Sequence, residues 1–340
     1  MRLTMWTRAA VAAAAVAGLM TLAPAAASAE PVKIRVGWVN VPGQITPILF
    51  AHPGIAKHLG QSYTLEPIRY PGSSVALTAL AAGELELANL TFTQVPTAIQ
   101  NAGMTDLRIL VDEFRDGVQG YDTIQYMVHK DGPINKIEDL KGKIIAVNAI
   151  GTGTDIFMRV LLRKHGLEFQ RDYTLVESGF PTMKAMLADK KVDLVVGVKP
   201  FTEDPSFKAV ARTLFTQTEA VGPTDMVFLT AREAWIAKNR AAVVDFFEDF
   251  IAATRWFTDP ANHEEAVDIV SRFTKIPSER LQWAFTKQDF YRDPNLRPDL
   301  ASIQRGVDQL KEFGFIKSPI DVQKYADLTL VDEAASRLKQ

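Results

Sequence analysis

Gly and hydroxyl residues cluster at two points in the chain, Pro71-Gly72-Ser73-Ser74 and Gly151-Thr152-Gly153-Thr154. Each cluster follows an apolar β-type run and opens an amphipathic helical pattern. The first turn of a helix leaves its N–H groups without intrahelical acceptors and carries about half a positive charge. A helix opened by Gly, Ser or Thr is therefore equipped to cradle an oxyanion, and two such turns eighty residues apart, Gly72 to Thr152, suggest two lips of one cleft. The plainer reading of Ser73, Thr152 and Thr154 is as N-caps, which Ser and Thr favour in any helix.

Catalytic and metal chemistry have little to stand on. The chain contains no Gly-x-Ser-x-Gly elbow and no His-Glu-x-x-His, and His52, His58, His129, His165 and His263 show no ligand spacing. With no Cys there is no disulfide, thiolate metal site or Cys nucleophile. Gly151 and Gly153 resemble part of a dinucleotide fingerprint, but the third Gly and the downstream acid are missing. No catalytic residue, metal or cofactor is nominated.

Residues 1–29 read as a secretory leader: Arg2 and Arg8, a short Ala-rich apolar run from Ala9 to Ala23, and Ala27-Ser28-Ala29 before Glu30. The run is shorter than the about 20 strongly apolar residues of a spanning helix, and no Cys follows it to carry a lipid. Cleavage leaves 311 of 340 residues and moves the formal net charge from −2 to −4 by removing two Arg. The expectation is a free, soluble periplasmic protein. Basic residues are scattered, which argues against nucleic acid.

The elements that must position the two turns alternate between strand and helix. Strand-like runs are expected at 33–39, 63–70, 85–90 and 107–114, with helices at Pro47–Leu59, Val75–Ala82 and Gln94–Ala102 between them. The pattern restarts with strands at 123–129, 143–148, 173–177 and 194–198, and helices at 155–165 and 181–189. Such alternation implies parallel pairing and layered α/β lobes. A strand at 225–230 leads into a helical tail, with helices at 241–257, 263–273, 278–286 and 299–313. Val243, Phe247, Phe250, Thr254 and Phe257 recur there at helical spacing, and the stripe reads as core. The tail is expected to form a helical layer on the first lobe.

The order of these features resembles the nitrate/sulfonate/taurine-type periplasmic solute-binding proteins of ABC importers. The resemblance rests on the leader, the opening Ile34-Arg35-Val36-Gly37-Trp38 strand and Gly72-Ser73-Ser74 before a helix. It also rests on Ala81-Ala82-Gly83-Glu84-Leu85-Glu86-Leu87-Ala88, Ile137-Glu138-Asp139-Leu140-Lys141-Gly142-Lys143 and the Gly151–Thr154 turn. It implies a two-lobed periplasmic-binding-protein (Venus flytrap) α/β fold with two strand crossovers and a C-terminal helical layer. Crossovers near Arg115–Tyr121 and Val221–Asp225 would make lobe one discontinuous, residues 30–117 plus 223–340, with lobe two at 118–222.

The resemblance implies ligand contacts from loops at the carboxyl ends of strands, where open α/β sheets bind. These loops nominate Trp38, Gln44, Ser73, Ser74, Thr91, Phe92 and Thr93 on lobe one, and Gly151, Thr152, Gly153, Thr154, Phe180 and Lys199 on lobe two. Trp38 has a core reading as well, through period-two alternation in its strand; Phe92, between two Thr, is expected to be a pocket wall. Lys199 and Arg115 are possible counter-charges. Micromolar binding needs about 8 kcal/mol and a helix N-terminus supplies about 0.3–2. Hydrogen bonds to a charged acceptor and burial of an organic body against Trp38 or Phe92 must supply the rest.

The expected function is a monomeric, non-catalytic receptor that closes on a small organic anion, a sulfonate or carboxylate, and delivers it to a membrane ABC permease. One rival is a neutral or cationic pyrimidine ligand, a thiamine precursor, recognised by acids such as Glu113, Asp155 and Asp225. A secreted enzyme on the same fold is the other. A thiamine-pyrimidine synthase of this fold would require a Cys-rich motif that the chain lacks.

Overall fold

The alternation over residues 32–116 supplies four strands of a five-stranded sheet whose carboxyl edge faces a second five-stranded sheet. The fold is taken from a computed structural model that describes residues 30–339; the expected leader, residues 1–29, lies outside the described residues. The first half contains β1 (Val32–Trp38), β2 (Tyr63–Arg69), α1 (Ser73–Ala81), β3 (Leu87–Leu90), α2 (Gln94–Gln100) and β4 (Leu107–Asp116). The second contains β5 (Gln125–His129), β6 (Lys143–Val147), α3 (Gly153–Lys164), β7 (Tyr173–Glu177), α4 (Phe180–Ala188), β8 (Leu194–Gly197), α5 (Pro205–Val210), β9 (Ala211–Thr216) and α6 (Gln217–Val221). The chain then returns as β10 (Thr224–Arg232), followed by α7 (Glu233–Thr258), α8 (His263–Thr274), α9 (Leu300–Glu312) and α10 (Thr329–Arg337).

The strand orders are β2-β1-β3-β10-β4 and β7-β6-β8-β5-β9. In each sheet the first three strands are parallel, and the fourth, β10 or β5, runs antiparallel to both neighbours. The chain passes between the sheets after β4 and again before β10. This is the two-lobed periplasmic-binding-protein fold. The C-terminal helices pack on the first sheet, where Ile34, Val36, Leu110 and Leu229 share a core with α7 and α8. In α7 the stripe Val243, Phe247, Phe250, Thr254 and Phe257 is buried, as its spacing requires.

Two expected helices do not form. At 47–59 there is only a 3-10 turn, Thr46–Ile48; downstream, Pro53 lacks a backbone donor and Gly54 adopts a left-handed φ of 77°. At 278–286 a 3-10 turn, Ser278–Arg280, gives way to irregular chain in which Phe285 is left-handed at φ 61°. β9, α5, α6 and α10 were not among the expected elements; α5 and α6 are only six and five residues long.

Asp116, at the end of β4, secures the first passage between the sheets. Its carboxylate accepts from Thr123 Oγ1 at 2.7 Å and from the Ile124 N–H at 2.8 Å. Burial pushes its pKa up to about 7, from 3.8. A raised folded-state pKa means stability that is full below 3.8 and lost as pH climbs through about 7. The loss runs at up to about 1.4 kcal/mol per pH unit. Asp116→Asn keeps the acceptor for Ile124 and removes the titration. Its denaturant-measured stability between pH 4.5 and 6.5 should therefore fall less steeply than wild type, and an equal slope would exclude Asp116 as the titrating group.

Candidate functional site

The loops at the carboxyl ends of β1, β3, β6 and β8 converge on a cavity of about 70 Å³ between the two sheets. Its polar lining is Asn40, Gln44, Ser73, Asn89, Thr91, Asn148, Thr152 and Thr154; Phe114, Phe180, Phe290, Met226, Val227 and Ile124 supply most of the apolar wall. Among the described residues, no Lys, Arg, His, Asp or Glu lines it. One water-sized sphere occupies about 10–15 Å³ on this measure, so the space suits a ligand of a few heavy atoms.

The two Gly-hydroxyl turns meet directly across this cavity. Ser73 Oγ lies 2.7 Å from Thr152 Oγ1, which also accepts from the Ser73 N–H at 3.1 Å. Asn148 Nδ2 donates to the Pro71 carbonyl at 2.8 Å, Ser74 Oγ to Ile150 O at 3.1 Å, and Gln94 Nε2 to Gly151 O at 2.7 Å. The approach depends on two glycines. A Cβ on Gly72 would stand 2.9 Å from Ala149 Cβ, and one on Gly153 would stand 2.8 Å from Thr91 Cγ2 and Oγ1.

At the start of α3 the first intrahelical bond is Ile156 N–H to Thr152 O. The N–H groups of Gly153 and Thr154 therefore have no acceptor among the described residues, and both residues line the cavity. The Asp155 carboxylate turns back to the Gly151 N–H at 2.8 Å, with Arg159 at 3.6 Å. Thr154 Oγ1 donates to Asn148 Oδ1 at 2.7 Å. Gln44 Oε1 accepts from the Val39 and Asn40 N–H groups, and no protein acceptor faces Gln44 Nε2.

Of the residues nominated from the sequence, Gln44, Ser73, Thr91, Thr152, Gly153, Thr154 and Phe180 come together here. Ser74, Thr93 and Gly151 lie on the outer side of the closure, around a neighbouring groove. Phe92 lies off the cavity: it is fully buried, stacked on Phe157 at 4.5 Å, and its ring leaves no room for a Cβ on Gly306 of α9. Trp38 lies off it as well. It shares a face of β1 with Ile34 and Val36, so it packs toward the helical layer, edge-on to Phe273 at 5.8 Å. Lys199 lies off the cavity lining and is engaged by other groups. Its ammonium donates to the Gln288 carbonyl, sits 3.4 Å from Asp122 and 3.6 Å from Glu203, and lies over the Trp283 ring. Arg115 is held by Asp112 at 2.8 Å and by Arg297 O, away from the cavity.

Sequence reasoning missed Asn40, Asn89, Asn148, Phe114 and Phe290. Asn89 carried a usable signal, being the one polar residue in the otherwise apolar run of β3. Phe290 carried none, because an irregular segment delivers it. Arg292 anchors that segment by donating to Pro42 O and Gly43 O, and Phe290 then stacks on Phe114 at 4.5 Å.

Residues 27–271 match the model of the NMT1-like family. A provisionally named binding protein of Brucella abortus (strain 2308) is 22% identical over 326 residues, covering 90% of this chain and 93% of its own. Among solved structures, the alkanesulfonate-binding protein SsuA from Xanthomonas axonopodis pv. citri bound to MOPS superposes with a TM-score of 0.70 at 17% identity, over 88% of this chain and 100% of its own. The periplasmic nitrate-binding protein NrtA from Synechocystis PCC 6803 gives 0.70 at 17%, over 91% and 90%. The desulfurization enzyme DSZB gives 0.62 at 13%, over 90% and 99%.

Proposed function

The chain belongs to the NMT1-like family, and from that premise we propose that it is a periplasmic solute-binding protein that closes on a small organic anion and delivers it to an ABC permease. The anion is a sulfonate or carboxylate. Lobe one is assigned to residues 30–117 plus 223–340 and lobe two to 118–222, with the protein acting as a monomer. The observation that carries this reading is the neutral cavity at the mouth of α3, where the N–H groups of Gly153 and Thr154 have no acceptor among the described residues. With Gln44 Nε2 they offer three donors to a charged acceptor, at about 1.5–3 kcal/mol each. Phe114, Phe180 and Phe290 would bury the organic body, the part first assigned to Trp38 and Phe92, at about 25 cal/mol per Å².

A cationic pyrimidine is disfavoured by where the acids lie. Glu113 is engaged by Thr46, Asp155 by Gly151 and Arg159, and Asp225 by the Asp299 N–H, none of them on the cavity wall. Among the described residues the lining offers hydroxyls but no His, carboxylate or Lys to serve as a base that activates them for hydrolysis, which supports a receptor over an enzyme. The alkanesulfonate and nitrate that SsuA and NrtA are named for binding support an oxyanion head.

Thermal melts of the purified protein with sulfonates, carboxylates, nitrate and pyrimidines test the reading. An organic anion at 100 times its dissociation constant should add about 2.7 kcal/mol of stability and raise Tm. Shifts with pyrimidines alone would overturn the anion, and turnover lost on mutating the cavity would overturn the receptor.

A further inference from the structure

Among the described residues, several buried side-chain oxygens and nitrogens lack a hydrogen-bond partner, and of these only Asn89 Oδ1 belongs to the cavity lining. Asn89 is 1% exposed. A buried acceptor left unpaired costs more than an ordinary hydrogen bond contributes, so it calls for a partner.

The direction of the Asn89 amide is set from behind. Glu113 is buried, and its carboxylate accepts both the Thr46 N–H at 3.0 Å and the Thr46 hydroxyl at 2.8 Å. With its hydrogen given to Glu113, Thr46 Oγ1 can only accept, and it accepts from Asn89 Nδ2 at 3.1 Å. The Asn89 amide thus turns its nitrogen toward Thr46 and leaves Oδ1 as the acceptor without a partner. Burial outweighs the Thr46 and Asn89 hydrogen bonds and the Arg292 charge, so the Glu113 carboxyl is raised above its ordinary value.

We infer that Asn89 is a specificity-determining acceptor, and that the ligand carries a neutral hydrogen-bond donor, a hydroxyl or an N–H, in addition to its anionic head. The inference rests on the anion reading of the site. It divides the cavity by polarity: Gly153, Thr154 and Gln44 donate to the head, and Asn89 receives from the body. A ligand with a methyl group or a carbonyl oxygen at that point leaves Oδ1 unpaired or opposes it to another acceptor. A site built to hydrogen-bond a ligand group discriminates strongly against analogues lacking it. An ammonium fits less well, because among the described residues no carboxylate lines the cavity to compensate its charge.

The test is calorimetric titration with two- to four-carbon sulfonates and carboxylates, each as parent, hydroxyl and oxo form, for example ethanesulfonate with 2-hydroxyethanesulfonate, and lactate with pyruvate. The hydroxyl form should bind about tenfold or more tightly than its parent and its oxo form. Asn89→Leu should bring the three within about twofold of one another. Glu113→Gln supplies a donor to Thr46 Oγ1, frees the Thr46 hydroxyl for Asn89 Oδ1 and lets Asn89 Nδ2 face the ligand. The oxo form should then gain about tenfold relative to wild type, a change of preference that loose packing would not produce. If anions bind without preference for the hydroxyl form, or the preference survives in either folded variant, the inference is overturned and the anion reading stands. If no anion in the panel binds, both fall.

Discussion

Gly153→Val should weaken ligand binding by about a hundredfold without unfolding the protein. A Cβ at this position meets Thr91 Cγ2 and Oγ1 at 2.8 Å, well inside van der Waals contact, and the γ-methyls of Val add to the overlap. Overpacking a fitted contact costs about 1–3 kcal/mol, and each 1.4 kcal/mol is tenfold in affinity. The strain falls on the closed arrangement, because Gly153 stands on α3 and Thr91 follows β3. Separating the lobes relieves it without disturbing either sheet. A titration showing unchanged affinity would mean that the Thr91–Gly153 approach is absent from the bound form. Gly72→Ala, with a Cβ 2.9 Å from Ala149 Cβ, should act in the same direction with a smaller loss.

Phe92→Ala should remove about 3–5 kcal/mol of stability, as expected for deleting a fully buried aromatic ring. The ring is 0% exposed and is packed between Phe157 of α3 and Gly306 of α9. Chemical denaturation measures the loss. Because the stack with Phe157 joins the two lobes, overall ligand affinity should fall as well. The ratio of affinities among ligands should stay constant, since Phe92 does not line the cavity. A changed ratio would return Phe92 to the ligand wall, where its Thr neighbours first suggested it belonged.

Phe92 and Trp38 show how far local pattern reaches. Phe92 follows a buried strand, and nothing within a few residues reveals that Gly306 opens space for its ring. Trp38 shares period two with Ile34 and Val36, so the information was present, and the helical layer on that face decided in favour of packing. Lys199 was legible as a cation near a strand end, but Asp122 and Glu203, which neutralise it, lie far along the chain or on the far side of a turn. The expected helix at 47–59 failed because Pro53 and Gly54 interrupt it.

The amino-acid sequence by itself determined the two Gly-hydroxyl turns, the strand-helix alternation and the buried stripe of α7. All three follow from local rules: free N–H groups at a helix start, and the periods of a strand and a helix. Only the tertiary structure decided that Ser73 and Thr152 bond to each other, that none of the described residues lining the cavity is charged, and that Asn89, one of them, has an unpaired side-chain oxygen. Those outcomes depend on close approach between segments distant in the chain. Close packing rewards such approach only where side chains are small enough to permit it, as Gly72, Gly153 and Gly306 are.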